Sequence, residues 1–376
     1  SCSPRAGRVS LRLMTAQMSK TTHARETLAL GLPLAGAHLA QMALHVTDTV
    51  LLGWYGVNEL AAVVLATSTF FVIFILGSGF AQAVMPLVAT ALGRGDETQV
   101  RRDTRMGLWL SIMFGVLTYP VFWFSKDLLL ALGQKPEVAQ LGQDFLRIAG
   151  LGMIPALLVM ALKSYLAALE RTQVVLWVTL TAVGVNLVLA YMLIFGHWGA
   201  PEMGVQGAAI ATVVVQVFSL VLVTAYATFL PSLARYHLFQ RFWRPDWPGF
   251  RAVFRLGWPM GLTGLAESGL FQASALMMGW IGTAELAAHG IALEITALTF
   301  MVHVGLSNAV TVRTGRAHGA GDALGLRQGA QTGVALSLLF ASVTVAIFLL
   351  FPEPLISPFL NPADPDRALI IATGTA

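Results

Sequence analysis

His38, Gln41, His45 and Asp48 follow one another at spacings of three, four and three, which sets all four on one face of a helix. The run around them is otherwise apolar. An ionisable group inside hydrocarbon costs about 3 kcal/mol or more, so it is read as functional by default, and a carboxylate there can hold a cation or carry a proton. The same four positions recur 226 residues later as Gly264, Glu267, Phe271 and Ser274. A second carboxylate thus lies on the same face two turns away in level, and the two acids read as cation sites lining a shared cavity. Further candidates are Asn186, able to donate or accept beside Asp48; Glu294; and Thr212, Gln216 and Ser219 at i, i+4 and i+7. Each has a plainer alternative as hydrogen-bonded glue between helices, for Glu294 as a protonated helix contact. A metal centre made of His38, His45 and Asp48 is disfavoured, because all its ligands would come from one helix.

The elements that must position these groups follow from composition. Hydrophobic residues make up 56% of the 376-residue chain and charged ones 11%, with a mean hydropathy of +0.72. These values belong to a membrane protein. Runs long enough to cross a bilayer, roughly 20 residues each, are expected near 27–52, 60–91, 106–124, 144–168, 174–196, 205–229, 251–280, 286–311 and 329–351. A tenth begins at the C-terminal edge. The runs are continuous rather than alternating, which favours helices over a barrel. The expectation is an all-α polytopic protein. Cys2 has no internal partner, and the polar leader, residues 1–25, lacks a signal-peptide core; Met14 and Met18 are candidate start residues.

Basic residues crowd alternate loops: Arg94, Arg101, Arg102 and Arg105; Arg171; Arg235, Arg241, Arg244, Arg251 and Arg255; Arg313, Arg316 and Arg327. The opposite loops hold only Lys126, Lys135, Arg147 and Arg367. Retention of positive charge on the inner side places the N-terminus in the cytoplasm and makes the net charge of +4 a topological signal rather than a nucleic-acid site. Lys163, two turns before Arg171, is expected to snorkel to that inner surface.

At a constant offset of 226, residues 25–111 match 251–337 at 27 of 87 positions, among them LLGWYGVNELAA against MMGWIGTAELAA and Gly95-Asp96 against Gly321-Asp322. Six spans separate equivalent points, so the repeat is parallel about an axis along the membrane normal, with the substrate site at the repeat interface. The expected organisation is an N-lobe of six helices over 26–230, a cytoplasmic linker over 231–250 and a C-lobe over 251–376. The second lobe is expected to be truncated, with three to four of its six helices present. Met277, Met278, Phe300 and Met301 offer an adaptable wall for apolar substrates, or ordinary helix packing. The chain has no phosphate-binding Gly-rich loop, no Cys-x-x-Cys and no Gly-x-Ser-x-Gly elbow, which argues against an enzyme.

Pro33 followed by TDTVLLG at 47–53, LAA at 60–62 and PLVATALGRGD at 86–96 resembles the first helix pair of the multidrug and toxic compound extrusion (MATE) family. FRLGWPMGLTGLAES at 254–268, ELAAHGIALEITALTFM at 285–301 and GRAHGAGD at 315–322 repeat the resemblance, which is strongest to the bacterial NorM-type branch. It implies a cation-coupled antiporter that exports amphipathic, often cationic, compounds against Na+ or H+, with no other cofactor, as a monomer in the bacterial inner membrane. It further implies cation or proton sites at Asp48, at Asn186 beside it and at Glu267. Gln41, His45, Thr212, Gln216, Met277 and Phe300 become candidates for the substrate cavity. Two departures bear on the C-lobe: Gly290 stands where the family often has Gln, and Glu294 where it has an uncharged polar residue. The family's tenth-helix aspartate would lie beyond Ala376. The alternative within the wider superfamily is a lipid-linked-substrate flippase, which the placement of Arg and Lys in loops disfavours.

Overall fold

A computed structural model describes residues 20–359 and 367–375, so the expected leader up to residue 19, with Cys2, Met14 and Met18, lies outside the described residues. Every regular element among the described residues is helical. In order they are α1 (Lys20–Tyr55), α2 (Val57–Arg94), α3 (Glu97–Trp123), α4 (Ser125–Ala131), α5 (Pro136–Ala149), a 3-10 turn (Gly150–Gly152), α6 (Met153–Ala168), α7 (Thr172–Phe195), α8 (Gly204–Phe229) and α9 (Pro231–Ala234). There follow α10 (Trp247–Ile281), α11 (Thr283–Gly319), α12 (Ala323–Leu350), α13 (Pro352–Ile356), a second 3-10 turn (Ser357–Phe359) and α14 (Arg367–Thr375).

Eight segments among the described residues are long and apolar enough to cross a membrane. The seventh expected span, 251–280, falls in α10, a helix of 35 residues, yet Glu267 and Gln272 dilute its apolar run and it falls short on hydropathy alone. The first helix starts at Lys20, inside the expected leader, and α10 starts at Trp247, inside the expected linker. Large apolar side chains face outward all round, including Leu117 at 77% and Leu349 at 76% exposure. A water-soluble surface would not carry such a belt; a lipid-facing one requires it.

The duplicated residues explain the connections. Gly95 and Gly321 sit in the left-handed region at φ 73° and 71°, closing α2 and α11, and Asp96 and Asp322 at once cap α3 and α12 by accepting from the backbone N–H of Gln99 and Gly325. One Gly-Asp pair thus ends one helix and begins the next in each lobe. At the other repeated turn, Gly56 and Gly282 have extended backbones, at φ −179° and 177°, that any residue adopts. Glycine serves there for space: the Glu59 and Glu285 carboxylates fold back into the volume a side chain would take.

The lobes meet through a pseudo-two-fold arrangement in which α1 packs on α11 and, equivalently, α10 packs on α2. Glycines set the closeness. A Cβ on Gly79 would strike the backbone of Gly257 and Gly261, and one on Gly305, its counterpart, would strike Ala35, the counterpart of Gly261. Near the axis, a Cβ on Gly93 would meet the Arg316 carbonyl, and one on Gly319 the Thr90 carbonyl. The repeat offset therefore reappears as a set of reciprocal contacts.

The arginine-rich end carries a second layer of ties. Arg102 makes a bidentate pair with Asp246 at 2.6 and 2.7 Å, while Asp246 also caps α10 through Gly249 N–H. Arg105 donates to the Arg241 carbonyl and Trp109 to the Phe242 carbonyl, strapping the inter-lobe segment to α3. Arg313 reaches the Thr27 hydroxyl at 3.0 Å, and Arg316 pairs with Glu170 at 2.7 Å. Arginines expected only to anchor the chain to one membrane face thus also bind the lobes together.

Two outcomes are expected. Gly93→Val should lower the unfolding temperature of the purified protein by an amount corresponding to about 1–3 kcal/mol of overpacking. Gly184→Ala on α7, with nothing within 4 Å of the added atom, should not. The hydrogen-bonded Arg102 guanidinium holds Asp246 below its ordinary value of 3.8. This stabilisation is fully present above pH 3.8 and is lost as pH falls through the lower folded-state value. The difference in unfolding temperature between the native chain and Asp246→Asn should therefore be constant near neutrality and shrink at the acid end of a pH series.

Candidate functional site

Asp48 lies near the end of α1 away from the arginine-rich loops, and Asn186 lies on α7, which packs along α1. Asn186 is fully buried, and its Nδ2 donates to Asp48 Oδ1 at 2.6 Å. Its own Oδ1 is buried without a donor. A half-buried carboxylate and an unsatisfied amide oxygen therefore lie together, with His45 one turn earlier on the same face of α1. Oxygen-only donors of this kind suit a hard monovalent cation or a proton, whereas a thiolate or imidazole set would favour a transition metal. No cluster of three or more His, Cys, Asp or Glu residues able to hold a metal occurs among the described residues.

Two turns towards the arginine-rich end, Thr179 lies seven residues before Asn186 on the same face of α7 and accepts a 2.8 Å hydrogen bond from Lys163 Nζ on α6. The expectation that Lys163 snorkels out is thus corrected. In the α6–α7 hairpin the two residues lie at matching distances from the turn, so the hydroxyl offers the ammonium a partner at its own depth. His38 lies within electrostatic reach of Lys163, and its Nε2 is 3.2 Å from Asn308 Nδ2 on α11, a polar link from one lobe to the other. Asn308 and Thr179 were not marked by the sequence, since an uncharged polar residue in a long span is common; their sharing of a level with Lys163 and His38 needed the helix pairing.

The other expected site residues are less closely joined. Gln41, Thr212 and Gln216 are half-buried, and His45 is exposed. Thr212 donates to the Ala208 carbonyl of its own helix, keeping only its acceptor capacity for a ligand. Met277 and Phe300 are exposed at 58% and 48%. Glu267 and Glu294 are exposed and make no hydrogen bond or ion pair among the described residues, so the structure does not build round Glu267 the arrangement that surrounds Asp48. The reason is local: α7 covers Asp48, and no helix among the described residues covers α10 in the same way.

A family model, MatE, matches residues 33–192 and again 259–374, two segments that begin 226 residues apart. The chain belongs to the MatE family. Its relatives include the probable multidrug resistance protein NorM of Rhizobium meliloti (strain 1021), 48% identical over 362 residues, which are 96% of this chain and 78% of that protein. The probable multidrug resistance protein NorM of Agrobacterium fabrum is 45% identical over 93% of this chain and 76% of its own length. Among solved structures, the outward-facing conformation of a multidrug resistance MATE family transporter superposes with a TM-score of 0.82 at 22% identity, covering 94% of this chain and 78% of that one. A MOP superfamily transporter from Pyrococcus furiosus gives 0.81 at 22% identity, with 94% and 77% covered. These similarities show an all-helical fold shared with MATE transporters. The MatE chain is thus a multi-pass membrane transporter rather than an enzyme.

The Asp48–Asn186 bond yields a direct test. Asn186→Ala should destabilise the purified protein by about 1–3 kcal/mol, the cost of leaving a charged acceptor short of its donor. Asp48→Asn added to it should recover part of the loss, because the stranded charge is then gone. Equal and additive losses in unfolding temperature would show that the pair is uncoupled.

Proposed function

We propose that this MatE chain is a cation-coupled multidrug antiporter of the bacterial inner membrane. It acts as a monomer with its N-terminus in the cytoplasm and exports amphipathic, often cationic, organic compounds in exchange for Na+ or H+. The observation that carries this reading is the buried Asn186 amide on the Asp48 carboxylate, with one amide oxygen left free. A proton or sodium ion at Asp48 cancels the charge that would hold a cationic drug; drug bound from the inner side displaces the ion in turn. Asn186 keeps the carboxylate in place in both states, so the exchange changes charge without rebuilding the site.

Lys163, on α6, contributes a positive charge beside Thr179, two turns along α7 from Asn186. It discourages a cation from settling deeper than Asp48. The link between His38 and Asn308 crosses the lobe boundary and breaks when the lobes rock apart, which connects the charge state of the N-lobe to alternating access. Glu267 and Glu294 remain in this proposal as C-lobe cation candidates, and Met277 and Phe300 as an adaptable apolar wall. The names of the NorM relatives, which refer to multidrug resistance, support the substrate class.

The test is reconstitution in liposomes with a Na+ gradient and a pH gradient imposed separately, reading efflux of a cationic dye. One gradient should drive efflux, and Asp48→Asn should reduce the rate at least tenfold, with a smaller loss in Glu267→Gln. Efflux that follows neither gradient, or that is unchanged in Asp48→Asn, would overturn the antiporter.

A further inference from the structure

At the arginine-rich end a cavity of about 380 Å3 opens among the end of α2, the α6–α7 turn, α9 and α11. Its lining includes three guanidinium groups, Arg171, Arg235 and Arg316, the hydroxyls of Ser232 and Tyr236, and a single carboxylate, Glu170. The formal balance is two positive charges in surplus.

The donors are also in surplus. Arg316 gives Nη1 to Glu170 at 2.7 Å and Nη2 to the Ala168 carbonyl at 2.7 Å, but its Nε is buried without a partner. Arg171 has a single long contact, 3.4 Å to Ser232 Oγ. Arg235 stacks on the Tyr236 ring and donates to its hydroxyl, and its pairing with the exposed Glu97 is long at 3.6 Å. Planar guanidinium forks held this way match tetrahedral oxyanions, to which they give two parallel hydrogen bonds each. Glu170 itself occupies a left-handed backbone position, φ 61°, where a helix end ordinarily takes glycine. Its carboxylate is thus kept at the cavity edge despite a backbone preference against it.

A second groove of about 580 Å3 shares Glu170 and Arg171 and continues past Leu30, Val174 and Tyr226. Arg25, Glu26 and Gln173 line it as well, so its wall is mixed, and an apolar tail attached to an anion in the first cavity would have Ala29, Leu30, Val174 and Tyr226 to lie against.

We propose that this cavity binds a phosphate-bearing anion. The ligand would touch α11 of one lobe, the α6–α7 turn of the other and the segment that joins them. Binding there favours the arrangement in which the arginine-rich end is closed, and so tunes the lobe equilibrium from a site remote from Asp48. The phosphate can belong to a free ion or to an acidic lipid headgroup, and both chemistries fit the same donors.

The experiment follows thermal unfolding of the full purified chain in neutral detergent at fixed ionic strength. Inorganic phosphate, dioctanoyl phosphatidylglycerol and dioctanoyl phosphatidylcholine are titrated separately. Unfolding should move saturably upward with inorganic phosphate, with phosphatidylglycerol or with both, and not with phosphatidylcholine. A response to phosphate alone assigns a free ion, and one confined to phosphatidylglycerol a lipid headgroup; either supports the site. In Arg171→Gln/Arg235→Gln, both exposed positions, the apparent affinity should fall at least tenfold. Glu170→Gln, which removes the repelling charge, should bind severalfold more tightly. Equal shifts with phosphatidylcholine, or an affinity unchanged in the double variant, would overturn the proposal. Each is read as a ligand-dependent shift, so altered basal stability does not mask it.

Discussion

Backbone-to-backbone closeness between the two lobes is the constraint on which the rest of the molecule depends. In a bilayer, apolar burial gives helices little reason to prefer one another over lipid, so association must come from close packing and a few polar bonds. Gly79, Gly93, Gly305 and Gly319 permit that approach, and their reciprocal contacts make the lobe boundary a consequence of the repeat itself. The Asp48–Asn186 pair lies within one lobe, but the His38–Asn308 link exists only because glycines bring α1 and α11 together.

The backbone is nearly two-fold and the side chains are not. His38 meets Asn308 across the boundary, whereas Gly264, its counterpart, faces Ile75. Arg313 and Arg316 tie α11 to the other lobe, while the matching positions on α2 are Leu87 and Thr90. Duplication supplied two equal frames, and the polar groups that reach from one lobe to the other are placed in one orientation only. The two lobes therefore present different polar groups at their boundary although their backbones match.

Much of this was legible in residue order. Long apolar runs marked the helices, the constant offset marked the repeat, and one helical face with Asp48 on it, together with Asn186, marked a candidate site whose two residues α7 brings into contact. What was not legible depended on depth and pairing between helices. Lys163 reads as an end-of-helix cation until Thr179 is found level with it in the neighbouring helix. The arginines of the loops follow a simple charge bias in sequence, yet Arg102 and Arg316 find partners 144 and 146 residues away, at Asp246 and Glu170. Glu267 fits the same pattern as Asp48 but lacks a covering helix among the described residues, which no periodicity along its own helix could reveal.

The Gly-Asp joints between α2 and α3 and between α11 and α12 have an effect on how the chain is made. Each stops one helix and starts the next using only its own backbone and a single side chain. The first hairpin is therefore defined before its C-lobe partners have been synthesised, and the second without help from the N-lobe that precedes it. A nascent chain can deliver such hairpins to the membrane one at a time, leaving the glycine seam between lobes to close last.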